Sequence, residues 1–282
     1  MNHAASKDGT TIAFDRSGRG PAVVLVCGAL TTRRANSALA ALLAPQFTVF
    51  NYDRRGRGDS GDTAPYAVGR EFEDLDAVIT EAGGSASVIG FSSGGALALE
   101  AAAHGLPITR LALWEPPFNL DDDGPRRHME YATRLAELLA RGRRGDAVAR
   151  FMTLVGLPPE MIAGARESPM WPALEDVAST LAYDAAVMGD SRVPVQRVTS
   201  VTAPTLVLDG GASPPSLRDA ARAVADALPD GHHRTLEDQT HDVDPAVIAP
   251  VVAGFLDGDS TSRVVEPGLR EGPPGDRDGR EA

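Results

Sequence analysis

The chain has 282 residues, 43% hydrophobic and 23% charged, which is enough to bury one substantial core and is ordinary for a soluble globular protein. A formal net charge of −12 argues against nucleic acid as a partner, since phosphate binding draws on a basic surface, and against long-range attraction to an anionic membrane. Cys27 is the sole cysteine, which excludes an intramolecular disulfide and a Cys-x-x-Cys metal site.

The first residues lack the basic and apolar stretches of a secretory signal, and the apolar runs 22–30 and 38–44 are too short to span a bilayer. A cytoplasmic protein is expected. From the N-terminus, β-branched runs predict strands at 10–15, 22–27, 48–52, 87–90 and 110–114. Helical spacing of apolar residues at 35–43 and 71–82, and an Ala/Leu-rich run at 94–104, predict helices between them. From 116 to about 202 the strand signal disappears, and helical patterns such as 131–141 and 147–155 stand between Gly and Pro clusters. Alternation then resumes with a strand at 205–209, a helix at 217–228, a strand near 233–236 and a helix at 246–256. The pattern predicts an α/β fold with a mostly parallel central sheet flanked by helices. Residues 1–117 and 201–257 form the core, 118–200 a helical insertion, and 258–282 have the composition of a disordered tail.

The segment Gly90-Phe-Ser92-Ser-Gly94 puts Gly-x-Ser-x-Gly directly between an apolar strand and a helical run. Glycines two residues either side of Ser92 permit a tight strand-to-helix turn that lifts Oγ above the sheet, as a nucleophile requires. The helix that opens behind it has unpaired N–H groups and a dipole favouring negative charge, so the Ser93 N–H is placed to hold an oxyanion. A second donor is expected after strand 22–27, where Gly28 lets the backbone turn closely and the Ala29 N–H faces the site.

A nucleophilic serine needs an imidazole to take its proton and return it to the leaving group. Of six histidines, His3 lies in the terminal segment, His104 near a helix end, His128 in the insertion, and His232 and His233 at a strand start. His241 differs in lying on the loop between the last strand and last helix, with Asp244 and Pro245 suited to the N-cap and first position of that helix. Asp53, Arg54 and Arg55 cluster in the glycine-rich segment 53–61, which reads as a surface turn with local salt bridges of little individual worth. Trp114 and Trp171 read as packing residues.

With Tyr52-Asp-Arg-Arg-Gly-Arg-Gly-Asp-Ser60, Gly90-Phe-Ser-Ser-Gly-Gly95, Trp114-Glu-Pro-Pro117 and Thr240-His-Asp-Val-Asp-Pro245, the chain resembles the α/β-hydrolase superfamily over residues 8 to 257. Small bacterial esterases and cofactor-free haloperoxidases are the members it is most similar to. The resemblance implies that Ser92 is the nucleophile, that Ala29 and Ser93 supply the oxyanion hole, and that the insertion is a cap over the site. One departure stands out: the family places an acid three residues after the glycine that follows strand 205–209, and here that position is Ser213. Glu115, at the end of strand 110–114, is the expected replacement, as certain haloalkane dehalogenases carry their acid there; the other reading is that it braces the Pro116-Pro117 turn. Asp209 is a further candidate, although its place in the strand suits a bond to loop backbone, and Asp242 is too close to His241 in sequence.

The expected function is hydrolysis of a carboxylic ester or lactone of a small apolar molecule through an acyl-enzyme, with no metal or organic cofactor. The alternatives are a non-hydrolytic pathway enzyme (lyase, cyclase or perhydrolase) and a ligand-binding protein on the same scaffold, because fold alone does not fix reaction. Oligomeric state has no signature in the sequence.

Overall fold

The structure is a computed structural model and describes residues 1–258; the tail expected over 258–282 lies, Gly258 apart, outside them. Strands β1 (Asn2–Ala5) and β2 (Thr11–Gly18) open the chain. Then β3 (Ala22–Val26), α1 (Ser37–Leu43), β4 (Thr48–Tyr52), α2 (Val68–Glu81), β5 (Ala86–Phe91), α3 (Ser93–Ala103) and β6 (Ile108–Trp114) alternate as expected. Between β6 and the next strand come α4 (Gly124–Ala140), α5 (Arg144–Leu154), α6 (Pro159–Arg166), α7 (Trp171–Asp176), α8 (Leu181–Met188) and α9 (Val195–Val198). The chain closes with β7 (Thr205–Gly210), α10 (Pro215–Ala227), β8 (Gly231–Leu236) and α11 (Pro245–Leu256).

All eight strands join one sheet in the order β1-β2-β4-β3-β5-β6-β7-β8. The pairs β1/β2 and β2/β4 are antiparallel and the remaining pairs are parallel. Strand β1 has no counterpart among the predicted elements: it is four residues long, starts on Asn2 and His3, and buries Ala4 alone, so it carries no periodic apolar signal. The central strands read as nearly unbroken apolar runs because both faces are covered. Val24, Val26, Val88, Leu111, Leu113 and Val207 pack toward α2, α3 and α10, while Val23, Leu25, Ile89, Ala112, Leu206 and Leu208 pack toward α1 and α11.

The sheet order changes direction at β3, which pairs with β4 on one side and β5 on the other. The loops leaving β3 and β5 therefore emerge side by side at the carboxyl ends of the strands, where sheets of this kind place ligands. The register Val26↔Gly90 brings Cys27 and Gly28 beside Phe91 and Ser92. Among the described residues no helix is long and apolar enough to cross a membrane.

Candidate active site

Ser92 is the N-cap of α3 with φ 52° and ψ −124°, a conformation an L-residue adopts only when its surroundings impose it. Its N–H donates to Trp114 O at 2.8 Å, and its carbonyl accepts from Gly95 N at 2.8 Å and Ala96 N at 3.1 Å. The flanking glycines permit this by close approach. A Cβ on Gly94 would lie 2.4 Å from Cys27 O and 2.6 Å from Val26 O, so α3 reaches the end of β3 only without a side chain there. Across the gap, a Cβ on Gly28 would sit 3.1 Å from Ser92 Cβ, which shows how closely the loop after β3 passes the serine.

Next to the serine, Trp114 ends β6 and Glu115 follows at φ 42°, fully buried. Glu115 Oε2 accepts from His241 Nδ1 at 2.6 Å, and Oε1 accepts from Gly210 N at 2.8 Å. Since an ionised carboxylate can only accept, this contact puts the His241 proton on Nδ1 and leaves Nε2 as the free base nitrogen. The His241 side chain is 41% exposed.

His241 sits on a fixed mount. Its carbonyl accepts from Trp114 Nε1 at 2.9 Å. Gln239 O accepts from Ala212 N at 2.9 Å, and Gln239 Oε1 accepts from Asp244 N at 2.9 Å. Asp244 caps α11 through Oδ1, which accepts from Ala246 N at 2.8 Å, with Pro245 at the first helical position. Trp114 thus ties the serine and the histidine together, bonding the former through its carbonyl and the latter through its indole.

The other carboxylate candidate points elsewhere. Asp209 Oδ2 pairs with His233 Nε2 on the neighbouring strand β8, not with loop backbone as its place in the strand suggested. Ser213, at the position where the family pattern has its acid, is buried, and its hydroxyl makes no hydrogen bond among the described residues. Trp114 and Trp171 are both buried in apolar clusters.

The segment 53–61 overturns the reading of a surface turn. Asp53, Arg54, Arg55 and Arg57 are all buried, and their partners come from distant parts of the chain. Arg54 makes a bidentate pair with Glu71 at 2.6 and 2.7 Å and a third contact with Asp184 at 2.7 Å. Arg55 pairs with Asp74 at 2.7 Å and with Asp8 at 3.0 Å, and Asp53 pairs with Arg33. Arg57 Nη2 reaches both oxygens of Asp184, at 2.9 and 2.8 Å. Asp184 also accepts from Ser93 Oγ at 2.8 Å. Burial pushes the Asp184 carboxyl up, but Arg57, Arg54 and the Ser93 hydroxyl more than offset this and hold it below the usual carboxylate range.

Charge run alone could not show that these groups are internal, because an exposed turn and a paired interior network look alike in composition. One sequence signal was available: Asp184 lies in Leu181-Ala-Tyr-Asp-Ala-Ala-Val-Met, an otherwise apolar helix, and a lone carboxylate on such a surface is buried only when paired.

A sequence model of the alpha/beta hydrolase family matches residues 23–251. Among solved structures, an alpha/beta hydrolase from Sphaerobacter thermophilus DSM 20745 is 58% identical with TM-score 0.84, the match covering 90% of this chain and 99% of that one. A hydrolase from Pseudomonas aeruginosa PA01 is 23% identical with TM-score 0.73, covering 90% and 97%. A thermophilic esterase from Thermogutta terrifontis is 21% identical with TM-score 0.68, covering 91% and 98%. The last two likenesses are of fold. No curated protein matches the chain.

Proposed function

Because this chain belongs to the alpha/beta hydrolase family, we propose that it is a serine hydrolase cleaving a carboxylic ester or lactone of a small apolar molecule through an acyl-enzyme. Ser92 Oγ attacks the carbonyl carbon as His241 Nε2 takes its proton, and the N–H groups of Ala29 and Ser93 hold the oxyanion. Collapse expels the alcohol, which leaves with the proton from His241. Water then attacks the acyl carbon, gives a proton to His241, and the second collapse releases the acid and restores Ser92. Glu115 keeps the imidazole in the tautomer that can do this and stabilises the imidazolium.

The observation that carries the reading is the 2.6 Å hydrogen bond between His241 Nδ1 and Glu115 Oε2, beside a serine held at positive φ. Ser213 stands in the family's acid position, and the carboxylate of Glu115, just after β6, on His241 supports the hydrolytic reading over the alternatives. The apolar preference is supported by the helices between β6 and β7, read here as a cap. Ala29 and Leu30 pack against its cluster of Tyr131, Leu135 and Leu181, and Leu30 also against Val148 and Trp171.

Turnover of p-nitrophenyl butyrate by wild type and Ser92→Ala tests the proposal, together with mass-spectrometric mapping of a fluorophosphonate adduct. Wild type should hydrolyse the ester and take the adduct on Ser92, and the variant should do neither. Unchanged turnover in Ser92→Ala overturns it.

A further inference from the structure

The loop that carries Ala29 is held from behind. Arg57 Nη1 donates to Gly28 O, and Thr31 Oγ1 donates to the same carbonyl at 2.9 Å. Arg57 Nη1 also lies 3.4 Å from Thr31 O, and Arg54 Nη1 lies 3.5 Å from Cys27 O. Gly28 C=O and Ala29 N–H belong to one planar trans peptide, so they point in opposite directions. Whatever grips the carbonyl aims the N–H. A cation on the carbonyl oxygen also polarises the amide, which makes its N–H a stronger donor.

Leu30, next in the loop, stands at φ 55°, a left-handed conformation that a side-chain-bearing residue keeps only where neighbours impose it. Arg57 in turn is held by Asp184, which lies on α8 of the segment between β6 and β7 and accepts from Ser93 Oγ as well. One carboxylate from that segment therefore reaches both oxyanion donors: the Ser93 residue directly, and the Ala29 peptide through Arg57. The Ala29 and Ser93 N–H groups have no acceptor among the described residues.

We propose that Arg57 and Asp184 are positioning residues of the oxyanion hole, Asp184 holding Arg57 in place and Arg57 aiming and polarising the Ala29 N–H through the carbonyl of Gly28. This rests on the serine-hydrolase reading above. It makes the hole complete only when α8 is seated, so that the cap and the electrophilic side of the site assemble together. Neither residue touches the substrate.

The test compares wild type with Arg57→Leu, which leaves Asp184 paired with Arg54, and with Ser93→Ala, which keeps the backbone N–H and removes only the hydroxyl arm. Active sites are first counted by fluorophosphonate titration, so that loss of folded enzyme is separated from loss of rate. Then kcat and KM for p-nitrophenyl butyrate and the Kd of phenylboronic acid, which forms a tetrahedral adduct on the serine, are measured. Losing a whole oxyanion donor lowers kcat by about 10²–10³, so mis-aiming one should lower kcat per active site by about 10- to 100-fold in Arg57→Leu. KM should stay within about twofold and boronate Kd should rise by a similar factor to the loss in kcat, because the interaction is made to the tetrahedral species alone. Ser93→Ala should show the same signature more weakly. Arg57→Lys, whose ammonium can still reach Gly28 O, should recover part of the rate, and Ser93→Ala carries the comparison if Arg57→Leu does not fold.

Unchanged kcat per active site and unchanged boronate affinity in Arg57→Leu, or in Ser93→Ala where that variant carries the comparison, would reduce the network to a structural brace and overturn the proposal. A wild type that turns over no ester and takes no adduct on Ser92 overturns the hydrolase reading, and the positioning role falls with it.

Discussion

Glu115→Gln exchanges one carboxylate oxygen for an amide nitrogen at the centre of the site, and the geometry dictates what each orientation of the amide must do. Glu115 uses both oxygens as acceptors, one for Gly210 N at 2.8 Å and one for His241 Nδ1 at 2.6 Å, in a fully buried setting. Glutamine has one acceptor. If its oxygen faces Gly210, its NH2 faces His241 Nδ1, which must then give up its proton; the proton moves to Nε2, and the imidazole can no longer accept from Ser92. If the amide turns over, its NH2 opposes the Gly210 N–H and a buried donor is left unpaired, costing about 1–3 kcal/mol. The first orientation avoids that cost and is the expected one. A wrong tautomer with intact geometry lowers kcat by about ten-thousandfold in a serine protease, or about 5.4 kcal/mol at 1.36 kcal/mol per tenfold, and a loss of that order is expected here. Steady-state hydrolysis of p-nitrophenyl butyrate and the second-order rate of fluorophosphonate labelling should fall together, while thermal unfolding confirms that the variant is folded. Asp209→Asn is the control, since its carboxylate is engaged with His233. Retention of kcat within tenfold in Glu115→Gln, or a larger loss in Asp209→Asn, refutes the assignment of the acid.

Ser92→Gly should abolish turnover yet stabilise the fold by about 1–3 kcal/mol, because φ 52° strains serine and is free to glycine; urea unfolding with an unchanged m-value reads this directly, and a destabilised variant contradicts it. Asp184 has a folded-state pKa held below its ordinary value, so its contribution to stability is present above the unfolded value of about 3.9 and is lost as pH falls through the folded value. Asp184→Asn should therefore be about 3–5 kcal/mol less stable than wild type at neutral pH, where it strands buried Arg57, and the gap should narrow below about pH 4; a gap that stays constant with pH counts against the pairing.

Much of the site was readable from local pattern. The serine elbow could be placed because its requirements are local: an apolar strand, a glycine on each side at the right spacing, and a helix-forming run behind it. His241 was legible for a related reason, as Asp244 and Pro245 mark a helix start and fix the loop before it. Strands β3 to β7 were legible because burial on both faces leaves nearly unbroken apolar runs. Strand β1 was not, since an edge strand of four residues with a single buried side chain has no period to detect. Arg57 and Asp184 were not paired in the sequence either, being 127 positions apart.

What the amino-acid order determined by itself was the alternation of strand and helix, the serine on its turn and the mount of the histidine. Each of these depends on neighbours within a few residues, where backbone sterics, capping and periodicity act. Tertiary structure alone decided which carboxylate meets His241, because Glu115 just after β6 and Asp209 near the end of the adjacent β7 lie close together and the direction of each side chain separates them. It also decided that the charges of 53–57 are interior, since the same arginines would be solvated if α2 and α8 did not bring Glu71, Asp74 and Asp184 to them. A charge's energy depends on its partners and its distance from water, and both are properties of the folded chain.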